Sequence, residues 1–169
     1  MDANVEAFNE QADLEVDLAR WMRLARLVLE SERSPGTGEL SLIFVDRQAI
    51  TDLNERFLQH SGPTDVLAFP MDDDLVVGGR QPDQGGRGPG APSEAEEPPA
   101  IIGDVVVCPS VASEQAPLHG TAVDDEIALL VVHGVLHLLE YDHADPREEV
   151  AMQRRERELL AKFREMEDG

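Results

Sequence analysis

Three histidines stand close together in this sequence, His133, His137 and His143, within the run HGVLHLLEYDH. The first two are four residues apart. On an α-helix that spacing places them about 40° apart on one face, one turn above the other. His143 follows six residues later, past Tyr141 and Asp142, where a reversing chain would return it over that face. The surrounding residues Ile127, Leu129, Leu130, Val131, Val132, Val135, Leu136, Leu138 and Leu139 are apolar almost all round, as in a core helix. Imidazoles in a core need partners. A single one is usually satisfied by a hydrogen bond, but two at this spacing and a third across a turn point to a bound metal ion.

Three neutral imidazoles leave a zinc ion one or two open positions, as in catalytic sites. Water bound there has its pKa lowered to about 7 and can attack a phosphodiester phosphorus. The same ion can steady charge building on a phosphoryl oxygen. The spacing is that of the metzincin zinc proteases, H-E-x-x-H-x-x-G-x-x-H, with two differences. Gly134 replaces the glutamate base and Glu140 replaces the turn glycine. Loss of that base argues against peptide hydrolysis by the same route. No general base is assigned, and metal-bound water is the proposed nucleophile. Gly134 either lets substrate approach the helix or permits a tight contact with a neighbouring strand. Asp142 either accepts a ring N–H from a ligand histidine or caps the turn. Asp65 and Asp104 have no assigned role, and His60 and His119 are expected in solvated loops.

These residues need a scaffold, and 169 residues suffice for one domain with a real core. The best apolar run is interrupted by His133, Gly134 and His137 and falls short of the ~18 residues of a membrane span. The acidic start MDANVEAFNEQADLEVD lacks a signal-peptide core. A soluble, cytoplasmic protein is expected. Cys108 is the one cysteine, so no internal disulfide forms, and it is expected to be a small buried residue at a strand end. The net charge of −21 disfavours non-specific nucleic-acid binding. Apart from Lys162 every basic side chain is Arg, which suits specific phosphate contacts.

Periodicity predicts the elements in order. Residues 4–9 form an edge strand and 14–32 a helix, with Leu14, Leu18, Trp21, Ala25, Val28 and Leu29 on its apolar side. Arg20, Arg23 and Arg26 lie off that stripe, on a solvated face. ELSLIFV, residues 39–45, is a strand. Asp46 caps a helix over 47–58, and residues 66–70 make a short strand ended by Pro70. Residues 72–99, rich in glycine and proline and almost without large apolar side chains, are expected to be a disordered loop inserted between two strands of one domain spanning 1–169. IIGDVVV, residues 101–107, is a buried central strand. A short helix over 109–115 precedes the histidine helix. Residues 147–166 form a final amphipathic helix with Val150, Met152, Leu159, Leu160 and Phe163 on its apolar side.

The histidine run resembles the H-G-x-L-H-L-x-G-Y-D-H signature of the YbeY family of rRNA-maturation endoribonucleases. GPTDVLAFP at 62–70 and GDVVVCP at 103–109 match that family's x-P-T-D-V-L-S-F-P and G-D-I-x-I-C-P, in the same order, and Glu114-Gln115-Ala116 fits the run that follows. The resemblance covers residues 39–166. It implies one α/β (α+β) domain, a small mixed sheet with helices around it and a buried central metal-binding helix. It implies one Zn2+ per chain on His133, His137 and His143. It also implies cleavage of single-stranded RNA, processing of the small-subunit 16S rRNA 3′ end and ribosome quality control in the bacterial cytoplasm, with rRNA and the ribosomal small subunit as partners and no membrane. Two positions depart from the family pattern: Glu140 stands where most members have Gly, and Leu58 where many carry Arg. Arg56 is the nearby candidate for RNA phosphate, although on a helix it points elsewhere. The rival reading is a non-catalytic ribosome-assembly factor with a structural zinc site, favoured by the missing glutamate, Leu58 and the acidity. A metallohydrolase acting on a peptide or amide is disfavoured by the same missing glutamate.

Overall fold

The computed structural model describes residues 4–32, 39–70, 101–139 and 146–168. The expected loop at 72–99 lies outside them. Among the described residues, four strands and five helices follow in the order β1 (Asn4–Glu10), α1 (Leu18–Ser31), β2 (Glu39–Val45), α2 (Arg47–Phe57), β3 (Val66–Pro70), β4 (Ile101–Val107), α3 (Pro109–His119), α4 (Val123–Leu138) and α5 (Pro146–Asp168). The strands form one mixed sheet in the order β1-β2-β4-β3. β1 pairs parallel with β2 and β2 with β4, while β3 runs antiparallel to β4. The two β-branched, apolar strands are therefore central, and β1, with its polar alternation, is an edge as expected.

Period-2 alternation sends the sheet's side chains into two cores. Leu40, Leu42 and Phe44 of β2, with Val105 and Val107 of β4, face a large core shared with α1, α4 and α5. Val45, Leu67 and Val106 face a smaller one closed by Ile50 of α2 and Val111 of α3. α4 and α2 thus cover opposite faces of the sheet. Cys108 is fully buried at the end of β4, as expected. Burial pushes its thiol pKa up, which keeps it a small neutral side chain.

Helix limits differ from the sequence expectation where capping or packing decides them. α1 begins at Leu18 rather than residue 14, because Asp17 Oδ1 accepts from the Arg20 backbone N–H at 3.1 Å. Asp46 caps α2 as expected, accepting from Ala49 N at 2.9 Å. α3 continues past residue 115 to His119, carrying Pro117 in its last turn. It stops at Gly120, whose φ of 70° is the left-handed cap that glycine adopts without strain. Arg20 is not simply solvated: its guanidinium lies 4.7 Å from the Trp21 ring centroid and binds Asp124 at 2.8 Å and Glu167 at 2.7 Å. That clamp joins α1 to the start of α4 and the end of α5. On α5, Met152, Leu159 and Phe163 are buried, whereas Val150 is exposed, contrary to its assignment to the apolar side.

Candidate functional site: a histidine line on the core helix

α4 is buried along nearly its whole surface. From Glu126 to Leu138 the only residues not fully buried are Leu129, His133 and His137. They are four apart, so they form one line, the only side of this stretch of helix that reaches solvent. The His133 and His137 rings meet edge to face, centroids 4.9 Å apart. The turn expected to return over this line is not described, and His143, Asp142 and Glu140 lie outside the described residues. Among the described residues no three His, Cys, Asp or Glu side chains gather as a metal cluster. The two α4 histidines are the part of the expected donor set that can be placed.

A carboxylate absent from the sequence expectation stands behind His133. Glu156 of α5 is buried, and its Oε2 lies 2.6 Å from His133 Nδ1. An ionised carboxylate only accepts, so the imidazole donates from Nδ1. A neutral ring then carries its lone pair on Nε2, the state in which histidine binds metal. The donor set therefore fits a metal such as zinc: two imidazoles one turn apart, one of them already oriented by an outer carboxylate. The sequence held a signal for Glu156. It falls in the stripe Met152, Glu156, Leu159, Phe163, where an acid interrupts an apolar i, i+4, i+7, i+11 pattern.

The structure decides between the two readings of Gly134. It is buried, and a Cβ there would lie 2.6 Å from Val105 Cγ1 and 3.4 Å from Val66 Cγ2. Gly134 permits close packing of α4 on β4 and β3; it does not open a path for substrate, which corrects that alternative. Arg56 lies on α2, across the sheet from α4, exposed and with its guanidinium 5.9 Å from the Phe57 ring centroid. It is not brought to the histidine line. Leu58, at the end of α2, is exposed.

A second cluster of ionisable groups occupies the other end of α4. His119 is exposed as expected but ends α3 rather than lying in a loop, and its Nδ1 lies 3.1 Å from both carboxylate oxygens of the buried Glu126. Thr121 Oγ1 donates to Glu126 Oε1 at 3.2 Å. With its amide nitrogen turned toward the carboxylates, Gln115 reaches Glu126 Oε2 at 3.3 Å and Asp65 Oδ2 at 3.1 Å. The backbone carbonyl of Asp65 accepts from Cys108 N at 3.0 Å. Asp65 thus serves to join β3 to β4 and α3. Asp104 lies on β4, and burial raises its pKa above the usual carboxylate value.

Fold and site together define a class: a small α/β domain with a mixed sheet, whose core helix presents a histidine pair along its one open line. The solution structure of a Thermotoga maritima protein shares this fold, with a TM-score of 0.55, 21% identity, and coverage of 95% of this chain and 92% of that one. A family model described as Endoribonuclease YbeY matches residues 6–164. The protein named Endoribonuclease YbeY from Thermobifida fusca is 43% identical over 161 residues, covering 95% of this chain and 94% of the relative. The one from Beutenbergia cavernae is 44% identical over 160 residues, covering 95% and 97%. This chain belongs to the endoribonuclease YbeY family.

Proposed function

We propose that this protein is a zinc-dependent endoribonuclease that cleaves single-stranded RNA, with the 3′ end of small-subunit rRNA as its substrate in ribosome maturation and quality control in the cytoplasm. The observation that carries the reading is the match over 95% of the chain to proteins named endoribonucleases. The line of His133 and His137 on an otherwise buried helix supports the same reading. No helix among the described residues is long and apolar enough to cross a membrane.

His133, His137 and His143 would hold the metal. When bound, zinc supplies Lewis acidity and a nucleophile drawn from water. The chain's own groups do the rest. Glu156 holds the His133 ring through Nδ1, and the packing of Gly134 against Val105 fixes the depth at which α4 carries both rings. The low dielectric beneath the helix strengthens every charge interaction at its open side. With a net charge of −21, non-specific attraction to RNA is weak, so binding rests on local contacts at the site.

The test is cleavage of a single-stranded RNA carrying the small-subunit rRNA 3′ sequence, by native protein and by His137→Ala, with bound metal measured on both by elemental analysis. About one zinc per native chain, lost together with cleavage in the variant, is expected. Equal cleavage by the two proteins would reveal a contaminating nuclease and sink the enzymatic reading.

A further inference from the structure

An acid in the apolar stripe of a packed helix is destabilising unless a partner compensates it. Glu156 occupies such a place: 7% exposed, in line with Met152, Leu159 and Phe163 on the side of α5 that meets the core. Its partner is His133 Nδ1 at 2.6 Å, 23 residues back in the chain. A pair that only joined α5 to α4 would not need an imidazole from the helix's one open line. The ring of His133 is a third exposed, whereas the Glu156 side chain is nearly covered. The pair therefore runs from the core outward, carboxylate inside and imidazole at the surface.

We infer that Glu156 is a positioning residue for the metal site: it holds His133 in the Nδ1–H tautomer, so that Nε2 is the ligating nitrogen. The inference rests on the metal-site reading above. The carboxylate acts in two further ways. It fixes the ring's rotation, because a carboxylate oxygen lies 2.6 Å from Nδ1. It also puts a carboxylate behind the ligand, which favours a dication at Nε2.

Zinc affinity, measured by competition with a chromophoric chelator at pH 8, is compared for native protein, Glu156→Gln and Glu156→Ala. Two-bond 1H–15N spectra of the metal-free proteins report the His133 tautomer. Glu156→Ala should weaken zinc binding by about 10- to 100-fold and shift His133 toward the Nε2–H tautomer. Glu156→Gln keeps an acceptor for Nδ1–H but not the charge, so it should retain the native tautomer and show an affinity between the other two. Circular dichroism and thermal melting check that the variants fold. Should Glu156→Ala fail to fold, the native and Gln spectra still decide the point, and a native His133 in the Nε2–H tautomer would overturn the inference outright. Native zinc binding with unchanged affinity in the folded variants, or equal losses in Gln and Ala with the tautomer unmoved, would also overturn it while leaving the metal site standing. Native protein that takes up no zinc would instead overturn the metal-site reading, and the inference with it.

Discussion

α4 carries a histidine–glutamate pair near each end, and the two are built in opposite ways. At its start, Glu126 is the helical residue and His119 comes from α3, with Thr121 and Gln115 on the same carboxylate. At its far end, His133 is the helical residue and Glu156 comes from α5. The first pair buries a carboxylate among several donors close to a helix N-terminus, where the dipole favours negative charge. It knits α3, α4 and β3 into one body. The second sets its carboxylate against His133 Nδ1 and places that imidazole beside another on the open line of the helix. An imidazole–carboxylate contact is therefore no mark of chemistry by itself. What distinguishes the far pair is His137, and the direction in which the pair faces.

The largest effect expected from separating the two ends is that of His137→Ala. It should reduce bound zinc from about one per chain to near zero and abolish RNA cleavage, while the thermal midpoint stays close to native, since His137 is half-buried. A collapse of the fold instead would make the far end structural like the near one.

Gly134→Ala probes the packing that carries both rings. The added methyl would sit 2.6 Å from Val105 Cγ1, and overpacking of this kind costs about 1–3 kcal/mol. Denaturant titration should show the loss, and Val105→Ala in the same chain should recover part of it. Full stability in the single variant would contradict the close approach of α4 to β4.

Glu126→Ala tests the near pair. It leaves His119, Thr121 and Gln115 without their shared acceptor and should cost about 1–3 kcal/mol in denaturant titration. Zinc affinity should be unchanged, in contrast to Glu156→Ala. A matched loss of metal affinity would erase the distinction between the two ends.

The smallest effect belongs to the surface clamp from Arg20 to Glu167. The Arg20 guanidinium holds the Glu167 carboxyl below its ordinary value of 4.5. A carboxylate with a lowered native pKa contributes stability that is present above its unfolded pKa and lost as the pH falls below it. Glu167→Gln should therefore lower stability by under about 1 kcal/mol at neutral pH and show no difference from native in strong acid. An equal difference at both pH values would refute the charge origin of the clamp.

Much of this arrangement follows from local pattern. β2 and β4 occupy the residues that their β-branched, apolar runs indicate, and β1 takes the edge that its weak alternation suits. The four-residue spacing of His133 and His137 already placed them on one face, because helical period is a property of the chain alone. The three motifs in order identified the family, and the comparisons show it. α3 runs to His119 rather than residue 115 because tolerance of Pro117 in its last turn depends on the Gly120 cap and on packing, which no local period shows.

Sequence by itself determined the strands, the core helix and the shared face of its two histidines, since each depends on periods of 2 or 3.6 residues. Tertiary structure alone decided which way that face points. It turned Gly134 to the sheet and left Leu129, His133 and His137 on the open line. It also brought Glu156 to His133 and Glu126 to His119, pairing residues that no local period connects. The physical reason is that a helix's pattern states which residues share a side, while the neighbours packed around it determine what each side meets.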